Sequence, residues 1–404
     1  MKKLMSYWDA RDLLLRLTEP VGTEVVPLQS CAGRILGQDL TATEHVPPFD
    51  RSPYDGYAFR AADSAAAAPD HPVTLRILEE IPAGGVSHYP VTDGCAVKIL
   101  TGAPIPAGAD AVTPFEKTQF TAQSVTLFAP SESGSNIVRA GEDVRAGQLL
   151  AEAGTPIDPG LAGTLASQNV SNPLVYRVPK VGILSTGSEL LEVGDAPEPG
   201  KIYNSNQYVL SAALRQLGCE PVVLGKAVDC TEKICEQIRI GLDQCDALIL
   251  TGGVSVGDYD LTPAAMEMAG VEILFRGVDL KPGMACAYGI KDGKPVCGLS
   301  GNPASSMTNF YAVALPAIKK LCGLRQYFPE EITVKLANGF PKKSRGTRVL
   351  RGKLDLSNGE VRMQVPEGQG NVILSSTIGC NVMAVVPAGT GPLPAGTVLK
   401  GFLV

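Results

Sequence analysis

The sequence predicts a multidomain chain of α/β and β parts, centred on an α/β domain whose helices cover both faces of a parallel sheet. Three observations carry that expectation. From Pro179 to about Leu324 a pattern of strand, glycine turn and helix repeats, with continuous Val/Ile/Leu runs of the kind buried on both faces. On either side lie short β-like runs broken by Gly, Pro and Asn. The chain's 404 residues also exceed what one core usually organises, so roughly two to four domains are expected.

Residues 1–45 are expected to be helical and then extended. MKKLMSYWDARDLLLRL breaks its apolar residues with Asp and Arg at helical spacing, which makes an amphipathic helix and not a signal peptide. Residues 46–145 hold Val73-Thr-Leu-Arg-Ile-Leu, Ala96-Val-Lys-Ile-Leu and Ser124-Val-Thr-Leu-Phe, a β-rich inserted domain. Residues 146–177 return to a helix expected to pack on the first one, which makes the β module an insertion. In 178–326, KVGILSTGSEL, a helix over 204–217, PVVLGKAV, a helix over 231–242 and ALILTGGVSVGDYD alternate. Residues 327–404 carry ITVKLA, TRVLRGKLDL, GEVRMQVP, NVMAVVP and GTVLKGFLV, spaced for a small sandwich or barrel.

Composition narrows the partners. A net charge of -6 without a long basic run argues against nucleic acid or an anionic membrane, leaving a small molecule or a protein. No apolar stretch reaches the roughly 18 residues that span a bilayer. Ten cysteines stand singly, without a CxxC pair, as reduced thiols in a cytoplasmic protein would.

In an open α/β sheet, ligands bind beyond the carboxyl ends of the strands. That directs attention to Ser185-Thr186-Gly187-Ser188-Glu189, Val228-Asp229-Cys230, the loop 251–260 and Leu299-Ser300-Gly301-Asn302-Pro303. Gly253-Val-Ser255-Val-Gly257 spells the G-x-S-x-G elbow of serine hydrolases, which in that fold needs a later histidine. The three histidines, His45, His71 and His88, all precede it, and without a base Ser255 is a weak nucleophile. P-loop, dinucleotide and zinc templates fail as well. What remains is a loop with Gly252, Gly253 and Gly257 ending in Asp258 and Asp260, with Glu189 and Asp229 on neighbouring strand ends.

Singly, each aspartate also fits a turn or helix cap. Together they repel, by about 4 kcal/mol for a pair 4 Å apart at an effective dielectric near 20. A hard cation such as Mg²⁺ offsets that, or some of them stay apart and solvated. For an anionic ligand, Asn302 as N-cap and Pro303 in the first turn would leave free N–H groups at a helix start. Lys281 and Arg351 are candidate charge partners, though either alone also fits a solvated surface position.

PPFDRSPYDGYAFR (47–60), GEDV (141–144), LSTGSEL, GGVSVGDYD, LKPG, GLSGNP and GQGN (368–371) together resemble, in order and over almost the whole chain, the MoeA family of molybdopterin molybdenumtransferases, related to the C-terminal domain of gephyrin. The resemblance implies a three-layer α/β molybdopterin-binding domain, a β-rich inserted domain, a helical/extended N-terminal domain and a C-terminal β-barrel. It implies a homodimer whose site is shared between subunits, and insertion of molybdate into adenylylated molybdopterin with Mg²⁺-dependent release of AMP and molybdenum cofactor.

Carried over by position, Glu189, Asp229, Asp260, Lys281 and Arg351 would act in the cleft, with Glu189 and Asp260 on the metal. Asp55 and Asp143 would come from the other subunit. Thr186, Gly187, Ser188, Gly252, Gly253, Ser255, Gly257, Ser300, Gly301, Asn302, Pro303 and Asn371 would hold the pterin substrate. A molybdopterin adenylyltransferase and molybdoenzymes are the implied partners. Ser300 stands where the family commonly has proline, Met284 where it has a second lysine, and Gly277 where it has a basic residue. The alternative in another class is a non-catalytic scaffold or cofactor-binding paralogue of the same fold.

Overall fold

The computed structural model describes residues 4–255, 260–357 and 359–404. Two compact units emerge: Met1–Gln38, Ala153–Pro159 and Asn172–Val404 form the first, and Asp39–Glu152 with Gly160–Ser171 the second.

The first unit is organised by strands β1 (Lys180–Thr186), β2 (Glu220–Ala227), β3 (Ala247–Thr251), β4 (Glu272–Arg276), β5 (Cys286–Lys291) and β6 (Lys294–Leu299), in the order β2-β1-β3-β6-β5-β4. The strands β2, β1, β3 and β6 run parallel, whereas β5 pairs antiparallel with β6 and β4 pairs antiparallel with β5. The expected parallel sheet thus carries an antiparallel edge. Lys291 pairs with Lys294 across Asp292 and Gly293, whose φ of 50° and 76° make the tight Asp-Gly hairpin that reverses the chain without a crossover helix.

Alternation along the strands explains their unbroken apolar runs. Val181, Ile183 and Ile249 face a core with Leu210 and Leu214 of helix α1 (Ser205–Gln216). Leu184, Leu248 and Leu250 face another with Ile234 and Ile238 of α2 (Thr231–Gln244) and Met266 of α3 (Thr262–Met268). Helix α4 (Pro303–Asn309) continues through a π-helical turn, Phe310–Ala314, into α5 (Leu315–Leu321).

The N-terminal helix, Tyr7–Leu17, starts at Ser6, whose hydroxyl accepts from the Asp9 amide at 3.1 Å. It buries Tyr7, Ala10 and Leu14 in the core that holds Phe310 and Ile318. The helical run over 303–321 is therefore its partner within the unit. The later helix expected to cover it, Pro159–Ser167, lies in the second unit except for its first residue.

Where the chain enters β1, the Arg177 guanidinium grips Asp246 with two hydrogen bonds of 2.9 and 2.7 Å, and the Lys180 amide adds one of 2.8 Å. Burial alone would raise the Asp246 pKa, but these donors outweigh it and hold the carboxyl below its ordinary value. A depressed folded-state pKa stabilises above the unfolded value, near 3.9, and that contribution disappears as pH falls through the folded one. Asp246→Asn is expected to cost about 1–2 kcal/mol at neutral pH. Urea melts of both proteins should converge below about pH 4; a gap independent of pH would refute this assignment.

The C-terminal part is a closed barrel of β7 (Glu331–Leu336), β8 (Arg348–Asp355), β9 (Arg362–Gln364), β10 (Val382–Val386) and β11 (Val398–Leu403), in the order β7-β9-β8-β10-β11. Val334, Leu350, Met363, Val382 and Ala384 fill it. Of the two architectures left open by the sequence, closure removes the exposed sheet edges that a sandwich keeps.

The second unit is a six-stranded sheet ordered Ala111–Pro114, Gly56–Phe59, Cys95–Ile99, Val73–Ile81, Ser124–Leu127, Thr118–Phe120. Tyr57 and Phe59 enter one core while Ala58 enters another with Val97 and Ile99, so both faces are covered. All ten cysteines are free thiols, most of them buried as small apolar residues. Among the described residues no helix is long and apolar enough to cross a membrane.

Candidate active site

Strands β2, β1, β3 and β6 end in register, Ala227 beside Thr186, Ser185 beside Thr251 and Thr251 beside Leu299. With neighbours about 4.8 Å apart, the loops that follow form one continuous rim. Gly187 leaves β1 at φ 144°, and a β-carbon there would lie 2.4 Å from a carboxylate oxygen of Glu189. The Glu189 carboxylate therefore folds back over the end of β1. The Ser188 amide donates to Asp229 at 3.0 Å, tying this loop to the one after β2.

The glycine loop after β3 is pinned by its backbone. Gly252 donates to the Leu299 carbonyl at 3.0 Å, and its own carbonyl accepts from the Thr262 hydroxyl at 2.9 Å. Its φ is 103°, and a β-carbon there would meet the Thr186 carbonyl oxygen at 2.5 Å. Close approach of two backbones is what requires glycine here. Gly257 and Asp258 lie outside the described residues, and Asp260 is half-buried just before α3. Among the described residues no group of three or more His, Cys, Asp or Glu side chains could hold a metal ion. Glu189 and Asp260, the two residues expected on a metal, carry oxygen donors, the ligand type that a hard cation takes.

A cleft of about 670 Å³ opens within this unit. The rim supplies Ser255, Ser300 and Asn302. The loop between β4 and β5 supplies Asp279, Lys281 and Met284, and the barrel part supplies Lys342, Arg348, Gln369 and Asn371. Lys281 bridges to the start of β8: its amide donates to the Thr347 carbonyl at 2.9 Å, and its carbonyl accepts from Val349 at 2.9 Å. None of these cleft residues is histidine, which leaves Ser255 a hydrogen-bonding group and not a nucleophile.

The start of α4 corrects one expectation. Asn302 occupies the N-cap position and Pro303 the first turn, but the Asn302 side chain makes no capping bond. Instead the Ala304 and Ser305 amides, expected to be free for an anion, donate to the Asn371 carbonyl at 3.1 and 3.3 Å. That loop is held from behind by Arg351. Fully buried, Arg351 donates from Nη2 to the Gly370 carbonyl at 3.2 Å and to the Ser376 hydroxyl at 3.1 Å, while Gln369 pairs with its backbone. Burial lowers its pKa, and Nε and Nη1 lack a hydrogen-bond partner among the described residues. Arg351 thus acts on the loop and does not line the cleft. In Arg351→Met the Ala304 and Ser305 amides are expected to exchange hydrogen at least about tenfold faster, as the loop loses two bonds of about 1–1.5 kcal/mol each. Unchanged protection would show that the loop holds itself.

Residues 5–168 match the MoeA N-terminal region (domain I and II), 182–320 a probable molybdopterin binding domain, and 333–401 the MoeA C-terminal region (domain IV). A molybdopterin molybdenumtransferase of Staphylococcus aureus is 36% identical over 374 residues, which span 92% of this chain and 88% of the relative. The chain belongs to the MoeA family of molybdopterin molybdenumtransferases. Its relative from Staphylococcus epidermidis is 36% identical over 381 residues, 94% of this chain and 90% of the other. The crystal structure of a molybdopterin biosynthesis MoeA protein from Pyrococcus horikoshii covers 100% of both chains with a TM-score of 0.85 at 31% identity, and a second reaches 0.87 at 29% over 99% of both.

In this MoeA family member the remaining two acidic candidates sit in the second unit, both exposed. Asp55 accepts from the Thr101 amide at 2.7 Å and hydroxyl at 2.8 Å, which hold its carboxyl below the usual range. The Asp143 amide donates to the Val46 carbonyl at 3.0 Å. The sequence reading missed Asp279, Lys342, Arg348 and Gln369 in the cleft. The R-V-L-R run that opens β8 held the available signal, since a strand with two arginines that is nonetheless buried must place them against something polar.

Proposed function

We propose that this MoeA family member inserts molybdate into adenylylated molybdopterin during molybdenum cofactor biosynthesis, hydrolysing the adenylate and releasing AMP. What carries this reading is the pairing of an acidic rim, bearing Glu189, Asp229 and Asp260, with a cleft whose described residues include one carboxylate and three cations, Asp279 against Lys281, Lys342 and Arg348. Two anions must meet in this reaction. The cations draw them in, and the low-dielectric cleft strengthens each contact.

Magnesium held by Glu189 and Asp260 would neutralise charge on the phosphoanhydride. The chain's own groups do the positioning. The pinned loop at Gly252 and Gly253 presents backbone to the pterin-linked phosphate, Ser255, Ser300 and Asn371 offer hydrogen bonds, and Lys281 meets the charge that develops on the departing phosphate as water adds to phosphorus and the P–O bond breaks. Asp55 and Asp143 complete the site from the partner subunit of a homodimer, which gives the β-rich inserted part (46–145) its role. The helical/extended part (1–45 and 146–177), the α/β part (178–326) and the barrel (327–404) build the rest. Free thiols throughout support a cytoplasmic setting.

The test supplies the purified protein with adenylylated molybdopterin, Mg²⁺, and molybdate or tungstate in turn. AMP together with metal-loaded cofactor is the expected product; no AMP with either oxyanion would end this reading.

A further inference from the structure

We propose that Arg348 is the receptor in this cleft for a tetrahedral oxyanion carrying two negative charges, an inference that rests on the function proposed above. Arg348 is only 7% exposed, yet it lines the cleft. A cation so far removed from water is normally paired with a carboxylate. Among the described residues none lies within ion-pair distance of it. Asp279, the one carboxylate among the described residues of the cleft, instead accepts from the Thr347 hydroxyl at 3.1 Å.

The guanidinium is nevertheless held firmly. Its Nε donates to the Ser344 hydroxyl at 3.0 Å, and its central carbon lies 5.2 Å from the centre of the Phe340 ring. These two contacts fix the plane and leave Nη1 and Nη2 without a protein acceptor among the described residues. Unlike the orphaned nitrogens of Arg351, they are not sealed from solvent. A planar fork with its donors free and its orientation fixed matches the paired oxygens of an oxyanion.

Charge sets the ligand's valence. Lys281 is bridged to Arg348 by the backbone, so the two cations start from adjacent positions. With Lys342 and Asp279, the described residues that line the cleft carry two net positive charges, complementary to a dianion. Molybdate has that form, and so does the phosphate of a nucleotide monophosphate.

Equilibrium dialysis of molybdate and, separately, of AMP against the full-length protein tests the assignment without turnover. Arg348→Met keeps the stem over Phe340, and Arg348→Lys keeps the charge but not the fork. Arg348→Met is expected to weaken one of the two ligands by about tenfold to a hundredfold, with Arg348→Lys in between. The ligand that responds names the source of the oxyanion. The melting temperature without ligand is expected to stay close to wild type, which separates lost binding from lost structure. Equal binding of both ligands by all three proteins overturns the proposal, and so does a loss that scales with unfolding. Because no product is measured, failure here leaves the transferase reading standing, and failure of the AMP-release assay leaves this binding result intact.

Discussion

Asp260→Ala is expected to lower magnesium-dependent AMP release by about a hundredfold or more while the protein stays folded. Asp260 is half-buried at the end of the glycine loop, where a carboxylate gives up hydration to serve another group. If that group is the cation at the anhydride, removing one of two anionic ligands weakens metal binding and charge neutralisation together. Raising the Mg²⁺ concentration should then recover part of the rate, which a purely structural role would not allow. Unchanged turnover at limiting Mg²⁺ would sink the role of Asp260.

Gly252→Ala is expected to destabilise the first unit by about 2–4 kcal/mol and to lower turnover beyond the loss of folded protein. Its added β-carbon meets the Thr186 carbonyl oxygen at 2.5 Å, and that oxygen belongs to backbone at the end of a buried strand, so it cannot swing away. Relief requires the loops after β1 and β3 to part. Gly301→Ala is the control, because its β-carbon would find nothing nearer than the Gly252 Cα at 3.6 Å, ordinary contact. Chemical denaturation of the two variants should differ by most of the predicted amount. Equal stability would mean that the rim is softer than its hydrogen bonds imply.

The rim was legible in the sequence because its signals are local. Ala247-Leu-Ile-Leu followed by Gly252 and Gly253 announces a buried strand and a backbone turn, and the carboxylates are adjacent to those strand ends in the chain itself. The antiparallel edge was also local, written in Lys291-Asp-Gly-Lys294, but the expectation of alternating strands and helices masked it. The cleft's far wall could not be read in the same way. Arg348 becomes a buried cation with no ion-pair partner among the described residues only once the barrel closes and Lys281 bridges to the start of β8, a contact between segments 67 positions apart. The helix start at Asn302 misled for a related reason. Its amides are free by local rules, and a carbonyl from residue 371 takes them.

The backbone attachment of Asn371 separates two duties that usually compete. Its carbonyl fastens the loop to α4, while its side chain belongs to an exposed residue at the cleft and carries none of that attachment. Substitution at this position can therefore retune what the cleft recognises without loosening the wall that bears it. The loop works as an interchangeable reading head on a fixed mount, and a panel of polar and charged side chains at residue 371 is the place to begin redirecting the oxyanion binding proposed for this cleft.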